Sequence, residues 1–402
     1  MDKGISFLED NKINLDYVKN TNQDLQKDYF TGNLSLLIGK TTKDKKEIHL
    51  NLNSNKYNNA HMAVAGSTGT GKTRFAFHLL SEISKVSNHK VNFIYLDFKG
   101  VKGEDVNRFT PFFEQTQTNF IDIPTTKFPI NPLSFIDNIN EVQKKMGIDK
   151  FTDIICKYSN LGVKQKGNLR EATMNAFNEK KHGEYPTISE ITEKLYEIIG
   201  EKLDSLTEIM NALSRYEIFK AQKEKHKSFL NENTYLSLSS DLPNPLRFTS
   251  LFLIINYIHN VFMNMEDTPV DENGFKAMRY VVLIDEAHVV FKEKKYQEIL
   301  QTMLREIRSK GVSIIMLSQG LDEFNQPSFD FSEMCEISIL LGIKDKNNRK
   351  AINKFMGVSE KEGIKVMRSL EKISKGEAIA NIKEGIEGFS KGDLFDIKQF
   401  SS

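Results

Sequence analysis

Apolar positions along this chain follow two rhythms. Short, nearly unbroken apolar runs occur at His61–Ala65 (HMAVA), Val91–Leu96 (VNFIYL), Tyr280–Ile284 (YVVLI), Val312–Leu317 (VSIIML) and Cys335–Leu341. Runs of this length, bounded by polar or glycine-rich turns, predict strands buried on both faces. Helical spacing predicts helices over Arg74–Val86, Phe248–Met265, Tyr296–Ser309, Asn348–Met356 and Glu360–Leu370, with a last strand at Gly376–Ile382. Strand, helix, strand in succession implies βαβ units and a parallel sheet. Upstream, Leu34–Gly39 (LSLLIG) and Glu47–Leu52 (EIHLNL) read as short strands joined by the charged turn Lys40–Lys46, a hairpin leading into the core.

From about Asn140 to Glu232 the texture changes to lysine, glutamate and asparagine with amphipathic spacing at Val142–Tyr158, Leu169–Asn178, Ile188–Leu203 and Leu206–Ile218. No strand-like run interrupts it, so an all-α insertion is expected between two parts of the sheet. Within it, Ala221–Lys227 (AQKEKHK) reads as a solvated helix face rather than a basic patch. The segment up to about Asn33 reads as a polar helical or irregular arm. The expected division is an arm and β-hairpin over 1–58, a first core part over 59–134, the helical insertion over 135–235 and a second core part over 236–402.

Composition narrows this picture only modestly. At 402 residues, 39% hydrophobic and 27% charged, the chain has the make-up of an ordinary soluble globular protein. Its 55 basic and 54 acidic residues nearly cancel, so any attraction to nucleic acid must come from local patches. Cys156 and Cys335 are far apart and in no metal-like spacing, and read as thiols in a reducing compartment. The amino-terminal stretch lacks the apolar run of a signal peptide, and the longest apolar stretches, near Leu251–Ile258 and Ile337–Ile343, are too short to span a bilayer. A cytoplasmic protein is expected.

The chemistry is carried by strand ends. Gly66-Ser67-Thr68-Gly69-Thr70-Gly71-Lys72-Thr73 fits the G-x-x-x-x-G-K-[ST] pattern, between a predicted strand and a predicted helix. Glycines let the backbone wrap so that its N–H groups face phosphate oxygens, and the helix N-terminus adds donors and a positive dipole end. Lys72 is expected to reach the β- and γ-phosphates of ATP, and Thr73 to ligate Mg²⁺. The strand YVVLI ends in Asp285-Glu286, which places Asp285 as a further Mg²⁺ holder and Glu286 as the group that orients or deprotonates the attacking water. Gln319 ends a third buried strand at the sheet edge where ligands bind, and is expected to sense the γ-phosphate or the attacking water. His288 reads as a packed or surface histidine. Arg305 and Arg308 lie on the helix before the Gln319 strand, where a solvated or paired arginine is the ordinary expectation.

Together these blocks resemble the HerA/FtsK superfamily of DNA-pumping ATPases. NNAHMAVAGSTGTGKT is similar to that superfamily's phosphate loop, YLDFKG to its second core strand, VVLIDEAHVVF to its acidic strand, and LREIRSKGVSIIMLSQG to its arginine helix and glutamine-ending strand. The resemblance covers residues 61 to 320, and the upstream hairpin resembles the lead-in strands of conjugation ATPases. It implies a RecA-like P-loop NTPase core: an α/β fold with a mostly parallel central sheet, an all-α insertion and a short N-terminal β-hairpin. It also implies ATP bound between the subunits of a homo-oligomer, a hexamer, with Arg308 acting on the neighbour's nucleotide. Departures are the short lead-in, which leaves no room for the full β-barrel of archaeal HerA, and the lack of a winged-helix tail.

The function so implied is a ring motor moving double-stranded DNA, with Lys99–Arg108 and Phe291–Lys295 as candidate channel loops. Two alternatives stay open. One is a secretion-type ATPase that moves protein; the other is a slow ATPase scaffold recruiting a nuclease or other effector.

Overall fold

The computed structural model describes residues 29–382 except 44, 102, 182, 201, 220–228, 292–293 and 327–328, together with the backbone of 394–396. Most of the expected amino-terminal arm and the Ala221–Lys227 segment lie outside the described residues.

A hairpin of β1 (Ser35–Thr41) and β2 (Glu47–Asn51) precedes β3 (Met62–Ala65), α1 (Lys72–Val86) and β4 (Asn92–Asp97). Short helices α2 (Gly103–Val106) and α3 (Thr110–Thr116) lead to β5 (Thr118–Ile123). Four helices follow: α4 (Glu141–Tyr158), α5 (Val163–Asn178), α6 (Ile188–Ile199) and α7 (Ser205–Arg215). The chain returns through β6 (Asn233–Leu238), α8 (Asn244–Met263), β7 (Tyr280–Ile284), α9 (His288–Phe291), α10 (Lys294–Glu306) and β8 (Val312–Ser318). It closes with a two-residue hairpin of β9 (Asn325–Gln326) and β10 (Phe329–Asp330), then β11 (Ile337–Leu341), α11 (Arg349–Met356), α12 (Glu360–Lys372), β12 (Glu377–Asn381) and β13 (Leu394–Asp396).

Eleven of these strands form one sheet in the order β2-β1-β13-β12-β11-β3-β8-β7-β4-β6-β5. From β11 to β5 every neighbouring pair is parallel, and from β2 to β12 every pair, including β12 with β11, is antiparallel. The near-continuous apolar strands β3, β7, β8 and β11 are buried throughout, as expected of strands covered on both faces. Side-chain alternation divides the core in two. Met62, Val64, Val281, Leu283, Ile315 and Leu317 face α1 and the hairpin. Ala63, Ala65, Val282, Ile284, Ile314 and Met316 face the other layer, which includes α4 to α8.

Local signals explain the insertion helices. Asn140 accepts from the Val142 and Gln143 amides at the start of α4, Thr187 and Glu190 form a capping box at α6, and Asp204 caps α7. Within the parallel part of the sheet the sequence pattern overlooked two strands, β5 and β6, and elsewhere the short β9, β10 and β13. β5 (TNFIDI) is a half-exposed edge strand with Thr118, Asn119 and Asp122 interleaved among its apolar residues, and β6 (NTYLSL) is buried but interleaved with Asn, Thr and Ser. Helix α8 is also longer than the apolar run suggested. At 20 residues it meets the length and composition of a membrane span, yet 72% of its most apolar window is buried against the rest of the chain. It serves as a core helix here.

Candidate active site

The glycine-rich loop grows from the carboxyl end of β3, a strand flanked on both sides. The Gly66 amide donates to the Ser318 carbonyl (3.1 Å) and the Ser67 amide to the Gly342 carbonyl (2.8 Å), so the loop opens between the ends of β8 and β11. A Cβ on Gly66 would lie 2.8 Å from both Leu341 Cβ and Thr70 Oγ1, which leaves room only for glycine. Gly69 and Gly71 take left-handed φ values of +83° and +113°, the conformation that turns successive N–H groups inward. Helix α1 begins directly after with no side-chain cap, leaving its first-turn donors to an anion. The Lys72 ammonium donates to the Gly66 carbonyl (2.5 Å) and reaches the Ser67 carbonyl at 3.4 Å. Burial lowers its pKa, partly opposed by Glu286. This cradle has the shape and donor set that a triphosphate requires.

Asp285 and Glu286 follow β7, both nearly buried, yet their surroundings differ. Asp285 accepts from the Tyr95 hydroxyl (2.7 Å) through Oδ2 and from the Glu286 amide (2.8 Å) through Oδ1. Burial raises its pKa despite these donors. Burial also acts on Glu286, but there hydrogen bonding wins. The Gln319 amide donates to its Oε2 (2.9 Å), His288 Nδ1 lies 3.1 Å from the same oxygen, and the Lys99 ammonium pairs with Oε1. The carboxyl is held down at about 2. Glu286 also adopts a left-handed φ of +53°, a conformation uncommon for a residue with a side chain and one that turns it toward this cluster.

Gln319 therefore joins the loop to the acidic pair. Its amide nitrogen holds Glu286, and its oxygen accepts from the Thr68 hydroxyl (3.3 Å). Glu323 sets its position. One carboxylate oxygen of Glu323 accepts from the backbone N–H groups of Gln319 (2.9 Å) and Gly320 (3.1 Å) and from the Ser318 hydroxyl. A cavity of about 340 Å³ opens beside the loop, lined by Ser67, Thr68, Gln319, Glu323, Lys344 and Asn348 among others.

The sequence pattern had not placed several of these groups. His288 contacts Glu286 rather than solvent or plain core, and Lys99 points at the acidic pair instead of standing free in a loop. Tyr95 and Tyr235 stack at 4.6 Å, with Tyr235 donating to Asp97 (3.0 Å) as Tyr95 does to Asp285. Burial pushes both phenols well above their ordinary range, so they remain donors at neutral pH. An aromatic layer built on the stacked Phe77 and Phe112 packs beside them. The DF of YLDFKG hinted at a strand-end carboxylate, but no local pattern signals its tyrosine partner on β6.

Arg308 lies elsewhere. It is exposed near Ala60, Gly311 and Val312, at the amino ends of β3 and β8, whereas the phosphate loop leaves β3 at its carboxyl end. A strand rises about 3.3 Å per residue, so the length of β8 alone sets the two apart by roughly 20 Å. Arg308 cannot reach its own chain's nucleotide loop. Arg305, also exposed, lies over the Phe329 ring at 5.3 Å. In the candidate channel loops, Arg108 pairs with Asp105 (3.1 Å), and part of Phe291–Lys295 lies outside the described residues. Among the described residues no cluster of three or more His, Cys, Asp or Glu has the arrangement of a metal site, and Cys156 and Cys335 are free and buried.

The geometry agrees with known proteins. Residues 48–381 match the AAA-like domain family. The DNA import protein CedB of Sulfolobus acidocaldarius is 21% identical over 360 residues, which is 88% of this chain and 55% of that protein; the chain thus spans about half the length of this curated relative. Among solved structures, VirB4 of Thermoanaerobacter pseudethanolicus superposes with a TM-score of 0.66 at 15% identity, covering 93% of this chain and 99% of that one. The plasmid coupling protein TrwB, solved with the non-hydrolysable ATP analogue ADPNP, gives 0.53 at 12% identity, with 92% and 96% covered. These likenesses bear out the α/β P-loop fold and the resemblance to HerA/FtsK-type ATPases. With its phosphate loop, acidic strand end and glutamine on three neighbouring strands, the chain belongs to the AAA-like domain family and is a P-loop ATPase.

Proposed function

We propose that this chain is one subunit of a ring, a hexamer, that spends ATP hydrolysis on moving double-stranded DNA. The observation that carries the reading is the position of Arg308: exposed, and at the end of the sheet remote from its own phosphate loop. An arginine that stabilises charge on a transferring phosphoryl group must come near it. Arg308 can do so only in a neighbouring subunit, so a complete site needs at least two copies. The nature of the cargo is supported by the similarity to a DNA import protein.

In this reading Lys72 and the loop amides bind the β- and γ-phosphates. Thr73 and Asp285 offer the hard oxygen donors that suit Mg²⁺, which when bound neutralises charge on the phosphate oxygens. Glu286 takes a proton from the attacking water, and Gln319 holds Glu286 and the Thr68 hydroxyl in one hydrogen-bonded row. The helical segment over 135–235 acts as an accessory body on the ATPase core, and the site of action is the cytoplasm.

The test is the steady-state ATPase rate with and without linear double-stranded DNA, read beside the oligomeric mass. Stimulation that grows with DNA length in a hexameric particle supports the motor. A monomer indifferent to DNA rejects it and leaves protein traffic as the better reading.

A further inference from the structure

We propose that the basic segment Lys344–Lys350, between β11 and the first turn of α11, binds the phosphodiester backbone of double-stranded DNA. The proposal rests on the reading of DNA as the cargo and adds the place where that cargo is held.

Charge carries the inference. Because 55 basic and 54 acidic residues nearly cancel over the chain, attraction to a polyanion must come from a local patch. Lys344-Asp345-Lys346-Asn347-Asn348-Arg349-Lys350 carries four cations and one acid within seven residues. Lys344, Arg349 and Lys350 are exposed, and Lys346 is half-buried. Among the described residues the three lysines have no ion pair, and Arg349 has only a long one, 3.9 Å to Glu360. Lysines on the insertion show the ordinary arrangement instead: Lys157, Lys166, Lys180 and Lys194 each meet a carboxylate.

Nearby acids do not cancel the segment. Asp345 accepts from the Asn347 amide (3.3 Å), and Glu323 is engaged by donors of residues 318–320. Asp322, on the cavity wall, is exposed and pairs with none of the four cations. Arg349 and Lys350 also occupy the first turn of α11, which holds no acidic residue, and positive charge there opposes the helix dipole. Helix α12, which follows, begins with Glu360 and Glu362. Asn348 caps α11 from within, accepting from the Ala351 amide (3.2 Å), so an incoming phosphate is left to the side chains. A bound polyanion offsets the local repulsion; a merely solvated loop leaves it standing.

The segment is also placed to act. Of the loops expected to grip DNA, Lys99–Arg108 has Lys99 held by Glu286 and Arg108 by Asp105. Lys344–Lys350 keeps its cations free and is rooted on the phosphate loop. The Gly342 carbonyl accepts from the Ser67 amide (2.8 Å), and a Cβ on Gly342 would stand 3.4 Å from Thr70 Cγ2. Lys344 and Asn348 line the same cavity as Thr68 and Gln319. Cargo held here lies two residues from a backbone contact with the nucleotide loop.

The experiment measures binding of labelled linear double-stranded DNA to the full chain by fluorescence anisotropy across a salt series, with a non-hydrolysable ATP analogue present. Lys344→Gln, Lys346→Gln and Lys350→Gln combined should weaken binding by about tenfold or more at 0.1 M salt. The slope of log affinity against log salt should fall by about 0.9 for each lysine that meets a phosphate. The same three positions changed to arginine should bind as the unaltered chain does, and so should Lys164→Gln with Lys202→Gln, exposed lysines of the insertion. Affinity and slope unchanged in the triple glutamine variant, or reduced equally by the insertion pair, overturn the site while leaving the DNA motor standing. A raised KM for ATP with DNA affinity intact assigns Lys344 to the nucleotide and also overturns it. A fall in oligomeric mass in the glutamine variant does the same, since the segment would then hold a neighbouring copy. If the unaltered chain binds no DNA, the motor and the site are rejected together.

Discussion

The carboxyl ends of β3, β4, β7 and β8 are crowded with ionisable groups, among them Lys72, Asp97, Lys99, Asp285, Glu286 and Glu323. The amino ends of β3 and β8 are mainly basic, with Lys276, Arg279 and Lys310 nearby. There His61 sits fully buried and Arg308 stands exposed. His61 Nδ1 accepts from the Ile314 amide and Nε2 donates to the Leu304 carbonyl, tying the entry of β3 to β8 and to the helix that leads to Arg308. One end of the sheet gathers four carboxylates around two lysines; at the other, Arg308 has no ion pair among the described residues. The contrast sets an acidic cluster beside the phosphate loop at one edge against a basic, exposed edge at the other.

The sharpest way to break that comparison is at Arg308. If it serves a neighbour's nucleotide, Arg308→Ala should lower kcat by about 10³-fold or more in a phosphate-release assay. Mixing Arg308→Ala with Lys72→Ala chains should then recover activity at interfaces that pair an intact arginine with an intact loop. Wild-type turnover in Arg308→Ala would leave the amino edge without a chemical part. At the opposite edge, Glu286→Gln should cost about 10³-fold in kcat while nucleotide binding, measured by a fluorescent ATP analogue, stays within a few-fold. Loss of binding as well would assign Glu286 to the cradle instead of the water.

The smallest of these effects concerns stability. Burial lowers the His61 pKa from 6.5 to about 4, against a smaller opposing effect of its bond to Leu304. The folded form therefore resists protonation, so its contribution is complete above pH 6.5 and is lost as pH falls through that range toward 4. A shift of this size corresponds to about 3 kcal/mol at most. Urea midpoints at pH 7 and pH 4.5 should fall further apart in the unaltered chain than in His61→Ala; equal differences would remove His61 from the acid response.

What could be read from the amino-acid order follows the range of the interactions. The phosphate loop, the acidic pair and Gln319 each sit at a strand end whose apolar run is local, so period and punctuation reveal them. The hairpin and the insertion helices were legible for the same reason, through turns and caps within a few residues. β5 and β6 were not, because an edge strand with Asn119 and Asp122 on it, and a buried one carrying Asn233, Thr234 and Ser237, lack the apolar continuity of their neighbours. Asn233 in fact uses its polarity inside the sheet, bonding the Phe93 amide and the Thr116 carbonyl. The contacts of Lys99 with Glu286 and of Tyr235 with Asp97 join strands distant in sequence. Only the sheet order brings them together.

β3 has only four residues, all with no exposed surface, and β8 and β11 lie along its two sides. Opening it would demand that two more strands part first, so its amides belong to the slowest class expected in hydrogen exchange. β2 and β5, at the two edges, have no such guard and can fray early. The nucleotide loop is thus rooted in the part of the sheet that local unfolding reaches last, and the protein can lose order at its margins while its grip on phosphate persists.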